Sequence, residues 1–217
     1  MSVLKTGISV VTTTWNEREN IEKLILSVRT VLEGTPHEII VVDDDSPDGT
    51  AHIAKRYADT VISKKREGQT KGLLYGMQLA KYPVIVTLDA DLENDPKIIL
   101  DLVKQTSENH LIMASRTKIP RISEKIASKT LGKIIGITDI FSNFRAIRKE
   151  IVTLFELKAG ETFGAEFQII AKKKSLNICE IKYDPPQRRK NPRIGGTFIA
   201  NLRILRALLK SLVRFLK

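Results

Sequence analysis

The stretch that most constrains this chain is Val84 to Asp95, which reads VIVTLDADLEND. Its first half is a continuous apolar, β-branched run, the pattern of a strand buried on both faces. The run breaks off in Asp89-Ala90-Asp91, with Glu93 two residues on and Asp95-Pro96 opening a predicted helix. In an extended segment alternate side chains share a face, so Asp89, Asp91 and Glu93 can point into one crevice. Clustered carboxylates repel one another unless something cationic sits among them. A hard divalent ion with oxygen ligands, Mg²⁺ or Mn²⁺, is the natural partner. The plainer alternative is a set of turn and helix-capping acids at the exit of a strand.

A doubly covered strand implies a sheet with helices on both faces, and the rest of the chain supplies one. Gly7 to Thr13 is an apolar β-branched run read as the first strand. Asn16 then stands as a helix N-cap with Glu19 three residues on. Ile21, Leu24, Ile25, Val28 and Val31 recur at helical spacing until Gly34 and Pro36 stop the helix. Glu38 to Val42 is the second strand, ending in the acidic turn Asp43 to Thr50. A helix from about Ala51, a short strand at Thr60 to Ile62 and a basic loop, Lys64 to Gln69, lead into a helix over Leu73 to Ala80. After the central strand come a helix over Pro96 to Thr106 and a strand over His110 to Ala114. This alternation predicts an α/β fold with a doubly wound, mostly parallel sheet. In such sheets ligands lie outside the carboxyl ends of the strands. Thr13 to Glu17, Asp43 to Asp48 and Asp89 to Glu93 all fall at those ends, so three polar clusters converge on one edge.

Absences narrow the chemistry. No glycine-rich G-x-G-x-x-G follows the first strand and no G-x-x-x-x-G-K-[ST] occurs, which argues against dinucleotide-binding and P-loop sites. Where those folds set glycines on phosphate, this chain sets carboxylates, and a metal ion bridging them to a diphosphate resolves the charge conflict. The net charge of +11 asks for a polyanionic partner: a phospholipid surface, a lipid phosphate, a nucleotide or nucleic acid. Nucleic acid would explain the charge but not the acids at the strand ends, and aromatic stacking platforms are scarce. A single cysteine, Cys179, excludes an internal disulfide and fits a reducing, cytoplasmic setting. The N-terminal apolar part is too short for a signal peptide, and no spanning run of about 18 uncharged apolar residues occurs.

Taken together and in order, VVTTTWNERENI, VVDDDSPDGT, Arg66-Glu67-Gly68 with Gly76, LDADLENDP, Ala114-Ser115-Arg116 and the stretch Asp139 to Arg145 resemble the family 2 glycosyltransferases of GT-A fold. The likeness is greatest to the dolichol-phosphate mannose synthase branch and runs from about Ile8 to Arg193. It implies transfer of a sugar, mannose foremost, from a nucleotide diphosphate sugar such as GDP-mannose to dolichyl or another polyprenyl phosphate. A related transferase using UDP-glucose or another donor, and a catalytically silent binding or scaffold protein, are the alternatives. Carried over residue by residue, the resemblance sets Thr13, Trp15 and Glu17 beside the nucleotide base and Asp43 and Asp44 at base or ribose. Gly68 and Ala90 fall in the same donor-binding segments. Asp89 and Asp91 match the metal-binding D-x-D, Glu93 offers a third oxygen ligand, and Arg116 is expected near the phosphates. Asp91 and Arg116 thereby become the residues expected to carry catalysis. A phosphate acceptor is already ionised near neutral pH, so Asp139 need not be a base. Asn143 stands where the family usually has glycine, and Thr13 where it usually has proline. Glu166 matches a family acid, with a structural salt bridge as its alternative. Arg188 and Arg193 sit in a cationic loop, either a lid over phosphate or a solvated charge run. Arg121, Ser123, Lys125 and Lys129 occupy the region where this branch holds the acceptor phosphate.

The segment 197–217 stands apart from the catalytic domain, 1–196, by its pattern. Arg203, Arg206, Lys210, Arg214 and Lys217 recur at helical spacing, while Leu202, Leu205, Leu209, Leu212 and Leu216 form an apolar stripe. Such a helix can lie in a membrane interface with its cations on lipid headgroups, giving a protein peripheral on the cytoplasmic membrane face. It can equally pack on its own domain or on a twin subunit.

Overall fold

The computed structural model describes residues 6–119, 121–158, 161–162, 164–186 and 197–216, with side chains from 201 onward in the last segment. Arg188, Arg193 and the rest of the cationic loop lie outside the described residues.

The chain forms strands β1 (Ile8–Thr14), β2 (His37–Asp43), β3 (Thr60–Ser63), β4 (Val84–Thr87), β5 (Leu111–Arg116), β6 (Arg145–Arg148) and β7 (Ile178–Tyr183), the first four of them on β-branched runs. They make one sheet in the order β3-β2-β1-β4-β6-β5-β7. β1 pairs in parallel with β2 and β4, β2 with β3, and β5 with β7. β6 runs antiparallel between β4 and β5. The sheet is thus mostly parallel, as the sequence predicts, with one reversed strand that the pattern does not announce.

Helices α1 (Ile21–Val31), α2 (Thr50–Ala54) and α4 (Ile98–Lys104) contribute to the core on one face. On the other lie α3 (Gln69–Leu79), α5 (Ile122–Ala127), α6 (Lys133–Ile135), α7 (Ala165–Lys173) and α8 (Thr197–Leu216). Strand side chains alternate between these two cores: Ile39 and Val41 of β2 face one, Ile40 and Val42 the other. α3 reaches the sheet because glycines face it. A Cβ on Gly72 would stand 2.8 Å from the Thr13 methyl, and one on Gly76 would run into Val11.

The start of α1 corrects the sequence reading. The helix begins at Ile21 after Asn20, and Asn16 is no cap: it adopts a left-handed backbone, φ 59°, inside the preceding turn. The amides of Asn20 and Ile21 are instead satisfied by the Glu17 carbonyl. A capping pattern four residues early is what a turn rich in Asn and Glu produces when tertiary contacts hold it out of the helix.

α8 shares the core rather than standing away from it. Ile204, Ala207, Leu208 and Ser211 are buried, Leu208 within the core cluster that contains α7 and α3 residues. Among the described residues no helix is long and apolar enough to cross a membrane.

Candidate active site

The carboxyl ends of β1, β2, β3 and β4 open on the same edge because these strands are parallel. β5 reaches that edge too, since it runs opposite to β6 and β6 opposite to β4. Side-chain bonds stitch the loops there together. The Asn16 amide donates to Ser46 Oγ at 3.0 Å, and the Glu17 amide to Thr50 Oγ1 at 2.9 Å. Asp44 receives the Gly68 amide at 3.2 Å and pairs with Lys64 at 2.7 Å. Gln69 donates to Asp89 Oδ1 at 2.5 Å, and Asn143 to the same oxygen at 3.3 Å. The three polar clusters foreseen at this edge therefore meet.

Within the cluster the expected residues divide by what already engages them. Asp43 is buried and braces its own loop, accepting from Thr14 Oγ1 and Ser46 Oγ, each at 2.7 Å, and from the Ser46 amide at 2.8 Å. Glu17 accepts Asn20 Nδ2 at 2.8 Å at the entry to α1. Trp15 is the accessible member, 39% exposed, with the Arg66 guanidinium stacked 3.6 Å from its ring centre. Thr13 is half-buried at the end of β1, beneath Gly72. Gly68 precedes α3 with φ 99°, where a side chain would also meet the Glu161 carboxylate, so only glycine fits.

The acids after β4 differ from the alternation expected of an extended segment. The strand ends at Thr87, and Leu92 takes a left-handed conformation, φ 64°, uncommon for a residue with a bulky side chain. The chain thus turns between the acids. Asp91 is exposed and accepts the Glu93 amide at 3.0 Å, while Ala90 is buried. Among the described residues no group of three or more His, Cys, Asp or Glu is gathered as a ready metal cage, so Asp89, Asp91 and Glu93 do not form the triad that alternation predicts. Part of Asp89 remains accessible, yet protein encloses its carboxyl group closely. Burial, and then the nearby Asp91 charge, push its pKa up to about 7, against the pull of Asn143, Arg145 and Gln69.

Three further residues support this acid, and two of them carry little signal in the sequence. Gln69 and Asn143 hold Asp89, and neither amide stands out from surface polar residues in the sequence. Asn143 adopts no positive φ, so its place needs no glycine. Its Oδ1 accepts from Arg145 Nη2 at 2.8 Å. Arg145 is wholly buried at the start of β6 and also donates to the carbonyls of Ser142 at 2.6 Å and Gly164 at 3.1 Å. Burial lowers its pKa to about 9 against the attraction of Asp89 and Asp139, which leaves it charged at neutral pH.

Arg116, at the end of β5, is held by two buried acids. Its Nε and Nη2 donate to Asp139 at 2.6 and 3.1 Å, and Nη2 also reaches Glu124 at 3.2 Å. Burial opposes its charge, but the bonds and charge of Asp139 outweigh it and raise its pKa. Its Nη1 makes no bond among those described. Asp139 is a loop-fixing acid in this arrangement. Glu124 also holds Arg121 at 2.7 Å, and Ser123 donates to Asn201 of α8 at 2.6 Å, while Lys125 and Lys129 are exposed. Glu166 is buried, paired with Arg214 at 2.9 Å and receiving the Lys158 amide at 2.8 Å. Its structural reading is the one the geometry realises.

A seven-stranded, mostly parallel sheet wrapped by helices, with acids gathered at its carboxyl edge, defines a GT-A scaffold. The crystal structure of glucosyl-3-phosphoglycerate synthase from Mycobacterium tuberculosis, in complex with Mn²⁺, UDP and phosphoglyceric acid, matches with TM-score 0.79 at 20% identity, over 97% of this chain and 78% of that one. Mannosyl-3-phosphoglycerate synthase from Rubrobacter xylanophilus matches with TM-score 0.75 at 17% identity, over 97% and 74%. The chain belongs to glycosyl transferase family 2, whose sequence profile matches residues 9–176. It is 32% identical over 196 residues to a dolichol-phosphate mannosyltransferase of Pyrococcus furiosus, covering 81% of this chain and 55% of the relative. It is also 32% identical over 166 residues to an undecaprenyl-phosphate 4-deoxy-4-formamido-L-arabinose transferase of Pectobacterium atrosepticum, covering 68% and 50%. The chain spans about half the length of these curated relatives.

Proposed function

We propose that this chain transfers a sugar, mannose first among candidates, from a nucleotide diphosphate sugar such as GDP-mannose to a dolichyl or other polyprenyl phosphate. The observation that carries the reading is Asp89 beside Asp91 at the carboxyl end of the central strand, in a chain similar to two polyprenyl-phosphate sugar transferases. Two neighbouring carboxylates, one with its pKa raised by burial and by the other, are hard oxygen donors short of positive charge, which fits Mg²⁺ or Mn²⁺. Such an ion, when bound, neutralises charge on the departing nucleoside diphosphate.

The chain's own residues do the remaining work. Trp15 offers an accessible ring for the base, and Asp44, which accepts the Gly68 amide, belongs to the same edge. Gln69 and Asn143 fix the orientation of Asp89, and Glu93 stands close enough in sequence to act through water. Arg116 presents Nη1 to a phosphate oxygen while Asp139 and Glu124 hold the rest of its fork. The acceptor phosphate, ionised near neutral pH, attacks without a strong base. Arg121, Ser123, Lys125 and Lys129 flank its approach, and Arg188 and Arg193 are proposed as later cations over the phosphates. α8, with Leu202 and Leu209 outward and cations beside them, would hold the protein peripherally on the cytoplasmic membrane face.

A panel of GDP- and UDP-sugars, each with Mn²⁺ and a detergent-dispersed polyprenyl phosphate, tests the reading. The expected result is an organic-extractable glycolipid from one donor, GDP-mannose foremost. No glycolipid from any donor, with nucleotide still bound, would favour the silent scaffold.

A further inference from the structure

We infer that α8 does not meet the membrane alone: α5, α6 and α8 together form one lipid-contact face, with anionic headgroups as the partner. The inference rests on the reading of the acceptor as a lipid phosphate. Eight of the twelve large exposed apolar side chains among the described residues lie on these three helices. Ile122 is 72% exposed, Leu209 64% and Leu202 59%, values out of place on helices that otherwise pack into the core.

The layout of α8 explains why. At 3.6 residues per turn, Ile204, Ala207, Leu208 and Ser211 form the docked face. Leu202, Leu205, Leu209, Val213 and Leu216 form a second apolar arc beside it, and all are exposed. Arg203, Arg206, Lys210 and Arg214 fill the remaining arc. The apolar arc is thus too wide for one docking surface, and half of it is spent on the domain. Two contacts orient the helix. Arg214, on the cationic side, pairs with Glu166 of α7. Asn201, on the boundary between the docked face and the exposed leucines, accepts Ser123 Oγ of α5. The exposed leucines therefore border α5, where Ile122 and Ile126 are themselves exposed, and Ile134 continues the run onto α6.

Charge selects the occupant. Lys125, Lys129 and Lys133 are exposed on α5, on α6 and on the turn between them, and Arg203 and Arg206 on α8. The one acid on these helices, Glu124, is buried against Arg116 and Arg121. In a two-fold contact with a second copy these like charges would face each other. Anionic headgroups neutralise them while the acyl boundary takes the isoleucines and leucines. The same helix, α5, carries Arg121 and Ser123, so the face would set the acceptor-side groups against the surface from which a lipid phosphate arrives.

Flotation of the full chain with phosphatidylcholine vesicles containing phosphatidylglycerol tests this, using Ile126→Glu on α5 and Leu209→Glu on α8. Each should reduce vesicle binding at least about tenfold, since burial of one such side chain is lost and a like charge is added. Both variants should melt as the parent does, because both positions are exposed; if Ile126→Glu misfolds, the more exposed Ile122→Glu replaces it. Loss of binding with Leu209→Glu but not with either α5 variant would overturn the shared face and leave α8 as a lone anchor. A parent that does not float would overturn the face and the membrane position together, while detergent-phase transfer would still stand or fall separately. A parent dimer that Ile126→Glu splits would assign the face to a second copy.

Discussion

Asp89 ionises against its surroundings, and this gives the site a pH signature. Its folded pKa, about 7, stands above the ordinary carboxylate value of 3.8. A raised folded pKa means that the group stabilises the fold while protonated. That contribution is complete below about pH 4 and is lost as the pH rises through 7, by up to roughly 4 kcal/mol. In chelator the melting temperature should therefore fall between pH 5 and 8 more steeply than in Asp89→Asn. Mn²⁺ should recover the loss at pH 8 and do little at pH 5; equal slopes in the two proteins would refute the assignment. Arg116 makes a second residue-scale prediction. Removing it by Arg116→Ala leaves Asp139 as a buried acid without its cation, while Glu124 keeps Arg121, at a cost of about 3–5 kcal/mol. The melting temperature should drop by roughly 10 °C, and an unchanged one would mean that the ion pair carries no weight. At this scale the sequence showed the acids clearly, because carboxylates at strand ends violate the usual solvation logic. It hid Gln69 and Asn143, whose amides become informative only when folding points them at Asp89.

Among the elements, β1 to β5 and most helices were legible because the strands are apolar runs that end in turn residues, whereas β7, with Glu180 and Lys182 inside it, has no such run. β6 was not, for a physical reason: its first residue, Arg145, is a fully buried charge whose cost is met by carbonyls and amides from other loops. No periodicity rule anticipates an arginine in the core. The alternation expected of Asp89, Asp91 and Glu93 breaks down because it holds only in a strand and this one ends at Thr87. α8 was legible as two-faced, but which apolar arc docks depends on the surface it meets. Its docking gives a testable pair. Arg214→Met takes the guanidinium away from the buried Glu166 carboxylate, and should destabilise the protein by about 3 kcal/mol. Adding Glu166→Gln should recover most of that loss. Equal destabilisation in the single and double variants would show that Arg214 acts through packing rather than charge.

For the whole molecule, one edge of the sheet gathers the acids proposed to hold the donor, and the helices beyond β5 carry the cations proposed for the acceptor together with the exposed apolar face. This division matches a reaction between a water-soluble sugar nucleotide and a lipid phosphate. The measurement that tests it most directly is transfer of labelled sugar into organic-extractable product by the parent and by Asp91→Asn, with Mn²⁺ and with chelator. Asp91→Asn removes charge at nearly constant volume from an exposed position, so the fold should persist. The expected outcome is divalent-dependent product from the parent and at least about a hundredfold less from Asp91→Asn, with matching melting curves. Near-normal transfer by Asp91→Asn, or transfer by the parent undiminished in chelator, would contradict the account.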